Sequence, residues 1–139
     1  LLGDLYSGLS IVQVRNKLKV GDSNWHVLED NVANAPKDAP YHFVVIAVGD
    51  FVDLDERGEM RLQFFNDRLV GVWFYPGDPQ KYKAKLEKGR NIVISPSAGT
   101  IVGAHTEIRF ANDYSGRRYM AYEDVILKKE HEAWLAKRS

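Results

Sequence analysis

The residues able to do chemistry in this chain are four histidines, a cluster of acids and a short serine run. His26, His42, His105 and His131 are scattered, with no HxH or HExxH pair among them. A metal centre needs three or four converging ligands, and Glu130-His131-Glu132 has no second histidine within helical reach. Asp50, Asp53, Asp55 and Glu56 suggest calcium at first. A calcium loop, however, needs spaced oxygen ligands, a central glycine and a terminal glutamate, and here Gly58 and Glu59 come too early. That stretch is expected to be a solvated turn. Ser95-Pro96-Ser97-Ala98-Gly99 lacks the leading glycine of a nucleophile elbow. No glycine-rich phosphate loop is present. The chain has no cysteine, so thiolate metal sites, disulfides and a cysteine nucleophile are excluded. The expectation is a protein that is not an enzyme, with no cofactor and no metal.

What remains is a surface made for binding. Arginines and aromatics interleave at Arg61, Phe65, Arg68 and Phe74. A single-strand nucleic-acid platform has that composition, because bases stack on rings. Lys+Arg and Asp+Glu are equal at 19 each, though, and nucleic acid calls for a basic footprint. A protein partner fits better, since arginine and aromatic anchors inside a polar rim mark interface hot spots.

These residues sit in the run from Gly58 to Pro76, where Asn66-Asp67 between two β-rich segments is the signature of a tight hairpin. With a two-residue loop, Phe65 pairs with Arg68, Phe64 with Leu69 and Leu62 with Gly71. Period-2 alternation then puts Met60, Leu62, Phe64, Leu69, Trp73 and Tyr75 on a core face. Arg61, Gln63, Phe65, Arg68, Val70, Val72 and Phe74 fall on the other. An open antiparallel sheet keeps its outer face polar, so this mixed face needs a cover. Either the C-terminal half lies over it, or Arg61, Phe65, Arg68, Val70 and Phe74 bind a partner.

The elements around the hairpin are legible in part. Ser10 and Gln13 form a capping box, Leu9 and Val14 a hydrophobic staple, and Ile11, Val14 and Leu18 an inward stripe that stops near Gly21. Residues 25–29 read as a short strand, 30–40 as a loop, 41–48 as a central strand continuing at 51–54, and 55–58 as a turn. Asp78 caps a surface helix with Pro79 in its first turn, running to about Lys88 with Tyr82 and Leu86 inward. Residues 91–95 are expected as a strand and 96–99 as a turn. Strands at 106–112 and 117–122 flank a second hairpin, and a helix over 128–138 is anchored by Trp134 and Leu135. The result is an α+β fold: an antiparallel sheet of five to seven strands with two or three helices.

At 139 residues the chain fits a single domain, and it can bury roughly two-thirds of its unfolded surface without a metal or disulfide. No apolar run approaches the roughly 20 residues that span a bilayer. The chain opens on Leu1, which suggests a processed product with any signal peptide or lipid-anchor cysteine upstream.

Gly8-Leu9-Ser10-Ile11-Val12-Gln13-Val14, followed by a meander ending in 58–72, resembles the BamE/SmpA/OmlA family of small outer-membrane lipoproteins. The β-lactamase inhibitory proteins share that unit. The resemblance covers residues 5–75; Leu18-Lys19-Val20-Gly21 stands where the family carries Leu-Gly-x-Pro, and residues 76–139 elaborate the same core. It implies a helical pair packed on a three-stranded meander, and a periplasmic or outer-membrane-associated protein that binds another protein. Membrane contact would come only through the upstream anchor. Two other roles stay open: an inhibitor or immunity-type protein, and a small-molecule-binding or catalytic α+β barrel.

Overall fold

The structure, a computed structural model, describes residues 1–33, 41–95 and 98–138. Among the described residues the strands are β1 (Trp25–Ala33), β2 (Tyr41–Asp53), β3 (Glu56–Phe65), β4 (Arg68–Pro76), β5 (Thr100–Val102), β6 (Thr106–Asn112) and β7 (Arg118–Asp124). The helices are α1 (Ile11–Leu18), α2 (Pro79–Arg90) and α3 (Val125–Arg138). The seven strands form one antiparallel sheet in the order β1-β2-β3-β4-β7-β6-β5, so the fold is α+β. The first four strands are a meander. After α2 the chain returns through β5 and β6, and β7 closes against β4. The central strand is therefore β4, and the strand that begins at Tyr41 lies second from the edge.

Capping decides where α1 begins. The Gln13 amide donates to Ser10 Oγ at 3.1 Å, and the Ser10 amide donates to Gln13 Oε1 at 2.9 Å. The hairpin turn adds a second cap: Asp67 Oδ1 accepts from the Ile11 amide at 2.9 Å. Backbone bonds between Gly8 and Leu69 and between Leu69 and Leu9 fix the helix entry to β4. Val14 is fully buried, with Ile11 and Leu18 packed beside it. The helix stops at Lys19, which takes a left-handed conformation (φ 54°), before Gly21 is reached. A single 3-10 turn follows at Asp22–Asn24.

The two meander turns among the described residues use positive φ at two successive positions, the geometry that matches strand twist. Asn66-Asp67 (φ 50° and 57°) is the expected one. The other is Leu54-Asp55 (φ 51° and 61°), so the turn expected over 55–58 is tighter and Glu56 to Gly58 already belong to β3. Gly58 is needed there, because a Cβ would lie 2.0 Å from the Tyr75 carbonyl oxygen. Strand β1 also runs further than expected, to Ala33; residues 34–40 of the expected loop lie outside the described residues.

Asp78 Oδ1 accepts from the Lys81 amide at 3.1 Å and opens α2. Tyr82 and Leu86 are buried on its inner edge. Tyr82 donates to Asp53 Oδ2 at 2.7 Å and its hydroxyl is bonded to that of Tyr122. Burial pushes both phenols above their ordinary pKa. Residues 92–95 are not a strand. The strand in that region is β5, which the sequence reading missed, and residues 96 and 97 lie outside the described residues.

One irregularity reshapes the hairpin. Gln63 pairs with Gly71 while Phe64 pairs with Leu69, so Val70 is an extra residue, a β-bulge. Leu62 therefore faces Val72 rather than Gly71, and the alternation beyond the bulge is inverted. Val72 and Phe74 turn into the core with Met60, Leu62, Phe64 and Leu69. Trp73 and Tyr75, expected inside, face the other side in a second cluster with Tyr119 and Ala121. The inner face is covered by α1 and α2, with Ile108, Met120 and Tyr122 from β6 and β7 joining the same core.

Candidate functional site

The outer face of the sheet is covered at one end by α3. Asp124 Oδ1 accepts from the Ile126 and Leu127 amides, both at 2.9 Å, which starts the helix at Val125. Its anchors are aromatic. The His131 ring lies between Phe43 (centroids 4.6 Å apart) and Phe65 (4.8 Å), and Trp134 stacks on Tyr41 at 4.2 Å. His131 Nε2 is hydrogen-bonded to the Tyr41 hydroxyl at 3.0 Å. Burial holds the imidazole below its usual pKa, opposed only by the neighbouring Glu132. Leu135, expected as an anchor, is exposed; His131 takes that role.

Helix and sheet leave a half-open groove of about 530 Å³ between them. Phe43, Val45 and Val70 form an apolar floor, with Leu28 and Leu135 at the outer mouth. Arg61, Gln63, Trp73, Glu123 and Lys128 line the inner end. The register explains the assembly: Arg61, Trp73, Ala121 and Arg109 form one row across β3, β4, β7 and β6. Gln63, Gly71, Glu123 and Glu107 form the next.

Glu123 is buried, 7% exposed, and its charge is compensated. Arg109 donates to Oε1 through Nε (3.1 Å) and Nη2 (2.5 Å), and Lys128 Nζ reaches the same oxygen at 3.3 Å. Buried carboxylates persist only with such partners. Arg61 donates through Nε to Glu59 at 3.2 Å and lies 4.7 Å over the Tyr75 ring. Arg117 sits 4.4 Å over the same ring and is also tied to Glu59. Trp73 stacks on Tyr119 at 4.5 Å, and its buried indole N–H has no hydrogen-bond partner among the described residues.

The five residues expected to bind a partner are thus separated. Phe74 is fully buried in the core, packed edge-on against Phe51 and Tyr82, and is withdrawn from the outer face. Phe65 is 2% exposed, beneath α3. Arg68 is ion-paired to Glu130 of α3 at 3.2 Å. Only Arg61 and Val70 line the groove. Trp73, Glu123, Lys128 and His131 were missed as site residues. Alternation would have pointed to Trp73 once the bulge was known, but the others depend on where α3 docks.

Several of the remaining polar candidates have structural partners, whereas His26, His105 and Asp55 are exposed. His42 is bonded to Asp30 at 2.6 Å, Asp50 to Arg57 at 2.5 Å and Glu56 to Lys85 at 2.7 Å. Ser95 Oγ accepts from the Ala98 amide at 3.2 Å; Ser97 lies outside the described residues. Among the described residues no three His, Asp or Glu side chains converge to hold a metal. No described helix is long and apolar enough to cross a membrane. No family model, curated protein or solved structure matches the chain.

Proposed function

We propose that this protein is a non-catalytic binding module whose ligand seat is the groove between the outer sheet face and α3. The observation that carries this reading is the groove's make-up: an apolar floor, a small set of polar groups at one end, and a volume of about 530 Å³. Ligand sites are typically concave, mostly apolar and roughly 300–1,000 Å³ in size. The polar groups suit positioning rather than proton transfer. Glu123 is held by two cations, and His131 is enclosed by rings and bonded to the Tyr41 hydroxyl, so both groups are already engaged in structural contacts rather than poised as general bases. Titration with an uncharged solvatochromic dye tests the reading. The wild-type chain should bind the dye saturably, and Val45→Trp, which fills the groove floor, should weaken binding at least tenfold while melting as wild type does. Equal binding by both proteins would remove the groove as the seat.

A second reading keeps the protein partner and the envelope setting. Beyond α3, the outer face presents Arg61 and Arg117 stacked over the buried Tyr75 ring, and arginine is enriched at interface hot spots. The resemblance of Gly8–Val14 to envelope lipoproteins supports a periplasmic or outer-membrane partner, and an inhibitor-type role uses the same surface. Affinity capture from envelope extract with wild type and Arg117→Glu tests it: a partner retained equally by both excludes this surface.

A further inference from the structure

The inner end of the groove has more hydrogen-bond donors than acceptors to meet them. Arg61 spends one of its five N–H groups on Glu59, leaving its guanidinium edge available. The Trp73 indole N–H is buried with no hydrogen-bond partner among the described residues, and the Gln63 side-chain amide lines the same end. Lys128 contributes a single bond to Glu123. Glu123, the one carboxylate here, is already engaged by Arg109 and Lys128. A buried donor without an acceptor is unfavourable, so an incoming acceptor is rewarded at this end.

The other two acids lining the groove lie elsewhere. Glu29 and Glu132 line its outer side and are solvent-exposed, where water and salt screen them. Arg61 and Lys128 are partly buried, where charge acts more strongly. The groove is thus polarised, with an apolar channel leading from the mouth to a cationic, donor-rich end.

Resting on the groove as ligand seat, we infer that its ligand class is the amphipathic monocarboxylate: an apolar chain or ring ending in one carboxylate. The carboxylate sits against Arg61, in the fork geometry guanidinium favours, with Gln63 and Trp73 as further donors. The apolar body lies over Phe43, Val45 and Val70 towards the mouth. At a volume of about 530 Å³, and the ~30 Å³ share of one liquid water, the groove holds on the order of fifteen to twenty non-hydrogen atoms. A medium-chain fatty acid is somewhat smaller than that and fits within it.

Decanoate, 1-decanol and decylammonium share one apolar body and differ in the head, so calorimetric titration of the full chain with all three isolates the inference. Decanoate should bind at least tenfold tighter than decanol, with decylammonium the weakest. The preference for decanoate should fall to threefold or less in Arg61→Gln. Gln63→Leu, which adds no charge, gives a second variant, and the three-ligand comparison on wild type needs no variant. Decanol or decylammonium matching decanoate overturns the carboxylate class. So does failure of all three in a protein that still binds the neutral dye; the groove then stands as a seat for another chemistry. Loss of dye binding sensitivity to Val45→Trp, together with no binding of any of the three, removes both groove and ligand class.

Discussion

The Phe65 ring at the hairpin tip lies 4.8 Å from the His131 ring of α3, tilted by 28°. The partners are 66 positions apart in the chain (131 − 65), so this stack ties the last helix to the first hairpin. Phe43 closes the other side of the imidazole and Tyr41 bonds its Nε2. Truncating Phe65 to Ala removes the floor of that stack. The expected loss is about 3–5 kcal/mol, as for other buried phenylalanines, equivalent to roughly 6–20 °C in melting temperature at about 2–4 °C per kcal/mol. A melting curve for Phe65→Ala within two degrees of wild type would show that α3 does not depend on this contact.

The same stack makes stability depend on pH in a definite direction. Burial lowers the His131 pKa in the folded protein below its ordinary 6.5, so the unfolded chain takes up the proton first as pH falls. Stability rises with pH wherever the unfolded state binds more protons. The contribution of His131 is complete above about pH 6.5 and is lost as pH falls from there towards the lowered folded pKa. The charged group acting on His131 is Glu132 on α3. Urea midpoints measured from pH 7.5 to 5 should decline, and His131→Gln should flatten that part of the profile. An unchanged slope in the variant would assign the effect to other groups.

Helix α1 carries two caps from different parts of the chain, Ser10 on the Gln13 amide and Asp67 on the Ile11 amide. Ser10→Ala and Asp67→Ala should each cost about 1 kcal/mol, the usual loss for a cap. Because Asp67 also occupies a positive-φ turn position, Asp67→Gly separates the two roles: it relieves the turn and still loses the cap. Chemical denaturation of the three variants checks this. If Asp67→Gly were more stable than wild type by the whole relief of the turn, about 1 kcal/mol, the cap from the hairpin would carry no weight.

The Ser10–Gln13 and Asp78–Pro79 caps and the turn at Asn66-Asp67 were legible because each declares itself within four residues, whereas the Asp67 cap on Ile11 spans 56 positions and was not. The α+β class followed from them. What could not be read was non-local or register-dependent. Strand β5 is three residues long and is defined only by its pairing with β6. The docking of α3 over Phe65 rests on rings brought together by the fold, so the choice between a partner and the chain's own C-terminal half stayed open in the sequence. The exposed-face assignment of Phe74 failed for one physical reason: a bulge at Val70 leaves no mark that composition or alternation reveals, and every side chain after it changes face.

That bulge yields a sharp prediction. Val70 and Gly71 together stand opposite Gln63, and β7 pairs with β4 only from Gly71 onward. Deleting Val70 therefore removes a residue no neighbour pairs with: Leu69 still meets Phe64, Gly71 still meets Gln63, and Val72 and Phe74 stay in the core. The deletion variant should fold cooperatively, losing about 1–3 kcal/mol for one buried aliphatic side chain, and its groove floor should bind the neutral dye more weakly. Deleting Val72 is different, because the removed residue is paired on both sides. It would bring Trp73 into the slot opposite Leu62 and turn Phe74 outward, and a one-residue slip exchanges the two faces. That variant should be unfolded or insoluble. Circular dichroism and urea unfolding of the two single-residue deletions decide the matter: equal damage in both would mean that Val70 is not the residue that sets the phase of β4.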